Sequence, residues 1–175
     1  MNAATVTRLI SEETISRRVK ELGERITADY RGTDNLLFIT VLKGAFMFAA
    51  DLLREVDVPC GIEFIRASSY DRSTRSSGRV ELACDLDIGG HDVLLVEDIV
   101  DTGLTISRIE EEFRKQRPSS LRLCTLLDKP SARKFPVRID YSGFQVPDRF
   151  VVGYGIDYAE KHRELPFIGT IDENP

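Results

Sequence analysis

Three apolar runs of strand length, LLFITVL (36–42), DVLLVED (92–98) and LRLCTLL (121–127), constrain this chain more than any other feature. They do not alternate apolar with polar, so each suits a strand covered on both faces rather than one with a wet side. Between them the period changes from that of a strand to that of a helix. Ser11, followed by Glu12 and Glu13, reads as a capped helix start, and Ile15, Val19, Leu22 and Ile26 recur at spacings of 4, 3 and 4, which predicts a helix over 12–30. Lys43-Gly44 ends the first run, and AFMFAADLLREV restarts as a helix. Ile106, Ile109 and Phe113 predict another of about a dozen residues from Thr105. Further strands are read at GIEFIRA (61–67), RVELACDL (79–86), VRIDYSG (137–143) and FVVGYGIDY (150–158), with a short FIGTI near the end. A parallel return needs a long crossover, so strands alternating with helices imply an α/β fold with a largely parallel sheet.

With 175 residues, 42% of them hydrophobic, the chain suits a single domain with one sizeable core. Its formal charge of -5 offers no general attraction to nucleic acid or anionic lipid, and neither is expected as a partner. Arg72, Arg75 and Arg79 form the one local arginine cluster outside the helical stretches. They fall in SSYDRSTRSSGR (68–79), a polar stretch without periodicity that reads as a long, functional loop. Cys60, Cys84 and Cys124 are widely spaced, odd in number and close to apolar runs, which suits buried thiols in a reducing cytoplasm. No segment approaches the ~18 apolar residues of a membrane span, and the N-terminus carries no export pattern. His91 and His162 lack metal-ligand spacing.

The second apolar run ends in Glu97, Asp98 and, after Ile99-Val100, Asp101, followed by Thr102-Gly103-Leu104-Thr105 at the start of a helix. Carboxylates at the end of a buried strand need a partner. The amides and hydroxyls of Thr102–Thr105, helped by the helix dipole, make an anion site. The acids upstream would repel a phosphate unless they faced sugar hydroxyls or a divalent metal. A phosphorylated ribose carrying a metal-bound second phosphate group meets all of these demands. Neither a Walker pattern nor G-x-G-x-x-G is present, so ordinary ATP and NAD sites lose their support.

VLLVEDIVDTGLT closely resembles the phosphoribosyl pyrophosphate (PRPP) signature of type I phosphoribosyltransferases. VLKGAFMFAADL (41–52), the 68–79 loop, LLDKP (126–130) and PDRFVVGYGIDYAEKHREL (147–165) extend the resemblance to the hypoxanthine-guanine branch over most of the chain. Leu104 stands where some relatives carry a basic residue, and Ala45 replaces a glycine of some relatives.

The resemblance implies a five-stranded, mostly parallel sheet flanked by helices. A core of about 12–148 would carry a small hood built from about 1–11 and 149–175. It implies transfer of phosphoribosyl from PRPP to hypoxanthine or guanine with Mg2+ as cofactor, in a homodimer or homotetramer. Glu97 and Asp98 would meet the ribose hydroxyls directly or through Mg2+, Asp101 would be the general base, and Thr102, Gly103, Leu104 and Thr105 would cradle the 5′-phosphate. Lys43, Gly44 and Arg163 would bind pyrophosphate, the Leu42-Lys43 peptide often being cis in this family. Lys129 would donate to the purine O6, Phe150 would stack on the ring, Val151 would offer backbone groups to its edge, and Asp157 would hold a second Mg2+. Ser69 and Tyr70 would open a lid that excludes water. Two rival readings share the fold: a PRPP-sensing regulator that binds nucleic acid, and a relative preferring xanthine or a pyrimidine.

Overall fold

The structure, a computed structural model, describes residues 5–66 and 86–171. RVELACDL, the arginine cluster, Ser69, Tyr70 and Cys84 therefore lie outside the described residues, except that Leu86 is included. In chain order the elements are β1 (Val6–Ile10), α1 (Glu12–Asp29), β2 (Leu36–Leu42), α2 (Phe46–Arg54), β3 (Cys60–Arg66), β4 (Asp92–Val100), α3 (Leu104–Lys115), β5 (Ser120–Asp128), β6 (Tyr141–Gln145), β7 (Val151–Val152) and β8 (Ile168–Ile171).

Five strands form one sheet in the order β3-β2-β4-β5-β6, and every neighbouring pair is parallel. β2 and β4 are nearly all buried, as their unbroken apolar runs require. On one face, Ile15, Val19, Leu22 and Ile26 of α1 and Phe48 and Leu52 of α2 pack against Phe38, Leu94 and Val96. On the other, Ile106, Ile109 and Phe113 of α3 cover Ile39, Leu95 and Leu123. Each such side chain contributes ~1.5–3 kcal/mol by leaving water. The start of α1 follows its sequence signal: the Ser11 hydroxyl accepts from the Thr14 amide at 3.3 Å.

Two strands differ from the reading of the sequence. β6 begins at Tyr141 rather than 137. Ahead of it Asp140 makes the join, its amide donating to the Leu123 carbonyl and its carboxylate accepting from the Leu123 amide, both at 3.0 Å, so a side chain takes a place in the ladder. The expected strand 150–158 shrinks to Val151–Val152. Gly153, Tyr154 and Gly155 follow with φ of 100°, 49° and 97°, left-handed values that no strand continues through.

β1, β8 and β7 form a separate antiparallel sheet in that order, with Val6 opposite Ile171 and Val151 opposite Thr170. The first and last described strands thus pair with each other. The Tyr154 hydroxyl ties this part to α2 through a 2.6 Å bond to Asp51 Oδ2. At Gly155 any side chain would run into the Gly44 carbonyl, so this segment lies directly on the end of β2.

Candidate functional site

β4 sits between β2 and β5, so its carboxyl end opens between two other strand ends, where ligands collect in sheets of this kind. Glu97 is buried and its Oε1 accepts the Asp98 amide at 3.1 Å, while Asp98 Oδ1 accepts the Ile99 amide at 2.8 Å. Burial pushes the Glu97 carboxyl well above the usual carboxylate range, and the neighbouring charge of Asp98 pushes it the same way. A hydroxyl donor or a cation beside the pair would relieve that cost. Gly44 explains itself here, because a Cβ at this position would overlap the Asp98 carboxylate.

Asp101 follows as an exposed residue on the turn into α3. Gly103 caps that helix at φ 85°, where a Cβ would also stand 2.7 Å from the Phe135 carbonyl. The first amides of a helix have no partner within it. Of these, the Leu104 amide makes a long 3.4 Å contact with Thr102 Oγ1, and the α3 start therefore presents amides and hydroxyls on an open side.

The resulting cleft, about 390 Å³, is lined by Gly44, Glu97, Asp98, Asp101, Thr102, Gly103, Thr105 and Asp157, among others. Eight of the residues singled out in the sequence thus share one cavity. Leu104, partly buried on α3, is not among its walls.

The cationic residues lie at the rim. The Leu42-Lys43 peptide is cis. Lys43 Nζ reaches Glu160 at 3.0 Å, and Arg163 Nη2 contacts Asp157 at 2.7 Å and Glu160 at 3.4 Å while its Nη1 donates to the Gly155 carbonyl at 2.7 Å. The lysine bond holds the exposed Glu160 carboxyl below its usual range. Glu160 carries no sequence signal of its own; only its place between Lys43 and Arg163 singles it out.

Lys129 emerges at the end of β5 with its side chain buried, its ammonium 4.0 Å from Asp148 Oδ1. A buried lysine with one distant carboxylate is built to donate elsewhere. Phe150 is 56% exposed and meets the Tyr158 ring edge-on at 5.9 Å, whereas Val151 is buried in β7. Neither Lys129 nor Phe150 is among the residues that line the cleft.

Among the described residues no three His, Cys, Asp or Glu side chains converge as a metal cage. Asp98 and Asp157 nevertheless face one cleft. Mg2+ is commonly held by one or two carboxylates together with substrate phosphates, so this open pair of hard oxygens fits an ion that arrives with its substrate.

Comparison with known proteins bears on this geometry. The phosphoribosyl transferase domain model matches residues 6–159. The hypoxanthine-guanine phosphoribosyltransferase of Bacillus subtilis is 51% identical over 93% of this chain and 91% of its own. The hypoxanthine phosphoribosyltransferase of Salmonella typhimurium is 46% identical over 95% and 96%. A crystal structure of a hypoxanthine-guanine phosphoribosyltransferase from Bacillus anthracis, with a HEPES molecule in its active site, superposes with a TM-score of 0.89 at 47% identity over 97% of this chain and 99% of the other. With the parallel sheet, the acidic strand end and these similarities together, the chain belongs to the hypoxanthine-guanine phosphoribosyltransferases, a family of enzymes.

Proposed function

We propose that the protein transfers the 5-phosphoribosyl group of PRPP to N9 of hypoxanthine or guanine, giving IMP or GMP and pyrophosphate in purine salvage. The observation that carries this reading is the shared cleft: two strand-end carboxylates, an exposed Asp101 and the N-terminus of α3 open onto one cavity.

The α3 amides and the Thr102 and Thr105 hydroxyls hold the 5′-phosphate, and Glu97 and Asp98 take the ribose hydroxyls. Lys43, Gly44 and Arg163 receive the pyrophosphate. Lys129 donates to O6, which selects 6-oxopurines because the amino group of adenine would present a second donor to it. Phe150 stacks on the ring. As N9 bonds to the anomeric carbon the bond from that carbon to the pyrophosphate oxygen breaks, and the purine proton at N7 passes to Asp101. The developing positive charge on the sugar is stabilised by the acidic strand end. Mg2+, held with the substrate by Asp98 and Asp157, would screen the phosphate oxygens.

Among the described residues Cys60 and Cys124 are free thiols, which supports a reducing, cytoplasmic setting. No helix among the described residues is long and apolar enough to cross a membrane. Ile62 and Phe64 of the edge strand β3 are exposed, which supports an oligomer, a homodimer or homotetramer.

The test is a spectrophotometric assay with PRPP and Mg2+ and, separately, hypoxanthine, guanine, xanthine, adenine and uracil, with a metal-free control. Metal-dependent turnover of the first two, with adenine and uracil silent, is expected. Turnover of xanthine or uracil alone would reassign the substrate; PRPP binding with no turnover of any base would favour a regulator.

A further inference from the structure

The turn from β4 into α3 is held from behind by one short segment. The Val100 carbonyl accepts from the Lys129 amide at 3.0 Å and from Arg133 Nη2 at 3.1 Å. The Asp101 carbonyl accepts from Arg133 Nε at 3.0 Å. The Thr102 carbonyl accepts from the Lys134 and Phe135 amides at 2.9 and 3.0 Å. Three consecutive carbonyls thus point to the 129–135 segment. When a turn's carbonyls are drawn to one side, its amides and the Asp101 side chain are left to the other, which is the cleft.

Arg133 is the one side chain in this brace. Its Nη2 also bonds Asp128 Oδ1, and both side chains are largely buried, at 18% and 12% exposed. Asp128 immediately precedes Lys129 on β5. One guanidinium therefore joins the backbone at Asp101 to the residue beside Lys129, linking the strand ends assigned to the two substrates.

We propose that Arg133 is a positioning residue that fixes Asp101 relative to Lys129 through the Val100 and Asp101 carbonyls and the Asp128 carboxylate. The inference rests on the roles given above to Asp101 and Lys129. Only arginine supplies it, because a lysine ammonium cannot meet three acceptors spread along a planar fork. A base displaced by ~1 Å from its proton can cost ~10²-fold in rate with little change in binding.

The test measures kcat and both KM values for Arg133→Lys, Arg133→Ala and Asp128→Asn, with circular dichroism to count folded protein. For the two Arg133 variants kcat should fall about 10- to 100-fold while KM for PRPP and for hypoxanthine stays within about 3-fold. Methylguanidinium in the assay should restore Arg133→Ala at least in part, and should leave Asp101→Asn unchanged. Asp128→Asn keeps the two carbonyl bonds and removes the charged tie to β5, so it should show a smaller fall of the same kind. It serves as the test if the Arg133 variants do not fold. Near-normal kcat in folded variants would overturn the inference, as would a loss that follows the folded fraction, a rise in KM alone, or failure of methylguanidinium to rescue a folded Arg133→Ala. A silent Arg133 beside a crippled Asp101→Asn would sink only this inference; near-normal turnover of Asp101→Asn would sink the base assignment itself.

Discussion

The two ends of the cleft are held in opposite ways. At the β4–α3 turn, buried groups and backbone bonds from residues 129–135 fix three carbonyls in succession, and Gly103 fits its neighbours so closely that it has no room for a Cβ. At the rim, Lys43 and Arg163 are held by Glu160 and Asp157 through ion pairs, and the lysine and its partner are 57% and 68% exposed. Exposed pairs of this kind contribute little, whereas a buried, charge-assisted bond left half-made costs several kcal/mol. On the roles proposed above, the difference matches what each end would handle: the ribose 5′-phosphate is carried over into the product, while pyrophosphate is the group that is released. A fixed cradle suits the first and exchangeable charge the second.

Breaking the braced end should have the larger consequences. Asp101→Asn keeps the shape of the turn and, on the role proposed for Asp101, removes the acceptor of the purine proton. Its kcat should fall by about 10²-fold or more, with PRPP binding largely unchanged, as loss of a general base does. Steady-state kinetics together with calorimetric titration of PRPP separates the two, and near-normal turnover would contradict the mechanism. Gly103→Ala attacks the brace directly: it demands φ 85° of a residue with a side chain and presses a Cβ against the Phe135 carbonyl. A loss of ~1–3 kcal/mol is expected, a Tm lower by ~2–4 °C for each kcal/mol in a domain of this size. An unchanged melting curve would mean the turn relaxes freely and is not rigid.

This contrast also decides what could be read from the sequence. The sheet was legible because β2, β4 and β5 are unbroken apolar runs, and α1 was legible because Ser11 and the Ile15, Val19, Leu22, Ile26 spacing agree. The turn from the acidic strand end into α3 was legible too, since Asp101 to Thr105 are contiguous. Residues that act across the chain were not. Arg133 reads as one more charged loop residue until folding brings it to the Val100 and Asp101 carbonyls, and Glu160 pairs with a lysine 117 positions away. β6 and β7 were misplaced for a local reason: β propensity in VRIDYSG and FVVGYGIDY says nothing of an aspartate joining the ladder or of three left-handed residues in a row.

The smallest effect should come from the rim, and it sharpens the comparison from the other side. Glu160→Gln removes the carboxylate that Lys43 and Arg163 share and leaves Asp157 to hold the arginine. If these cations are held by Glu160 until pyrophosphate takes them, the variant should bind pyrophosphate more tightly by about 2- to 5-fold. Stability should barely move. The sign with pH is fixed by the lowered carboxyl: the wild-type pair is present above the ordinary glutamate range and is lost as pH falls below it, so the two proteins should converge in affinity on acidification. The gap should also narrow with added salt, because both groups are exposed. Weaker pyrophosphate binding in Glu160→Gln would instead mean that Glu160 orients Lys43 and Arg163 for the ligand, and the rim would then be as preorganised as the turn.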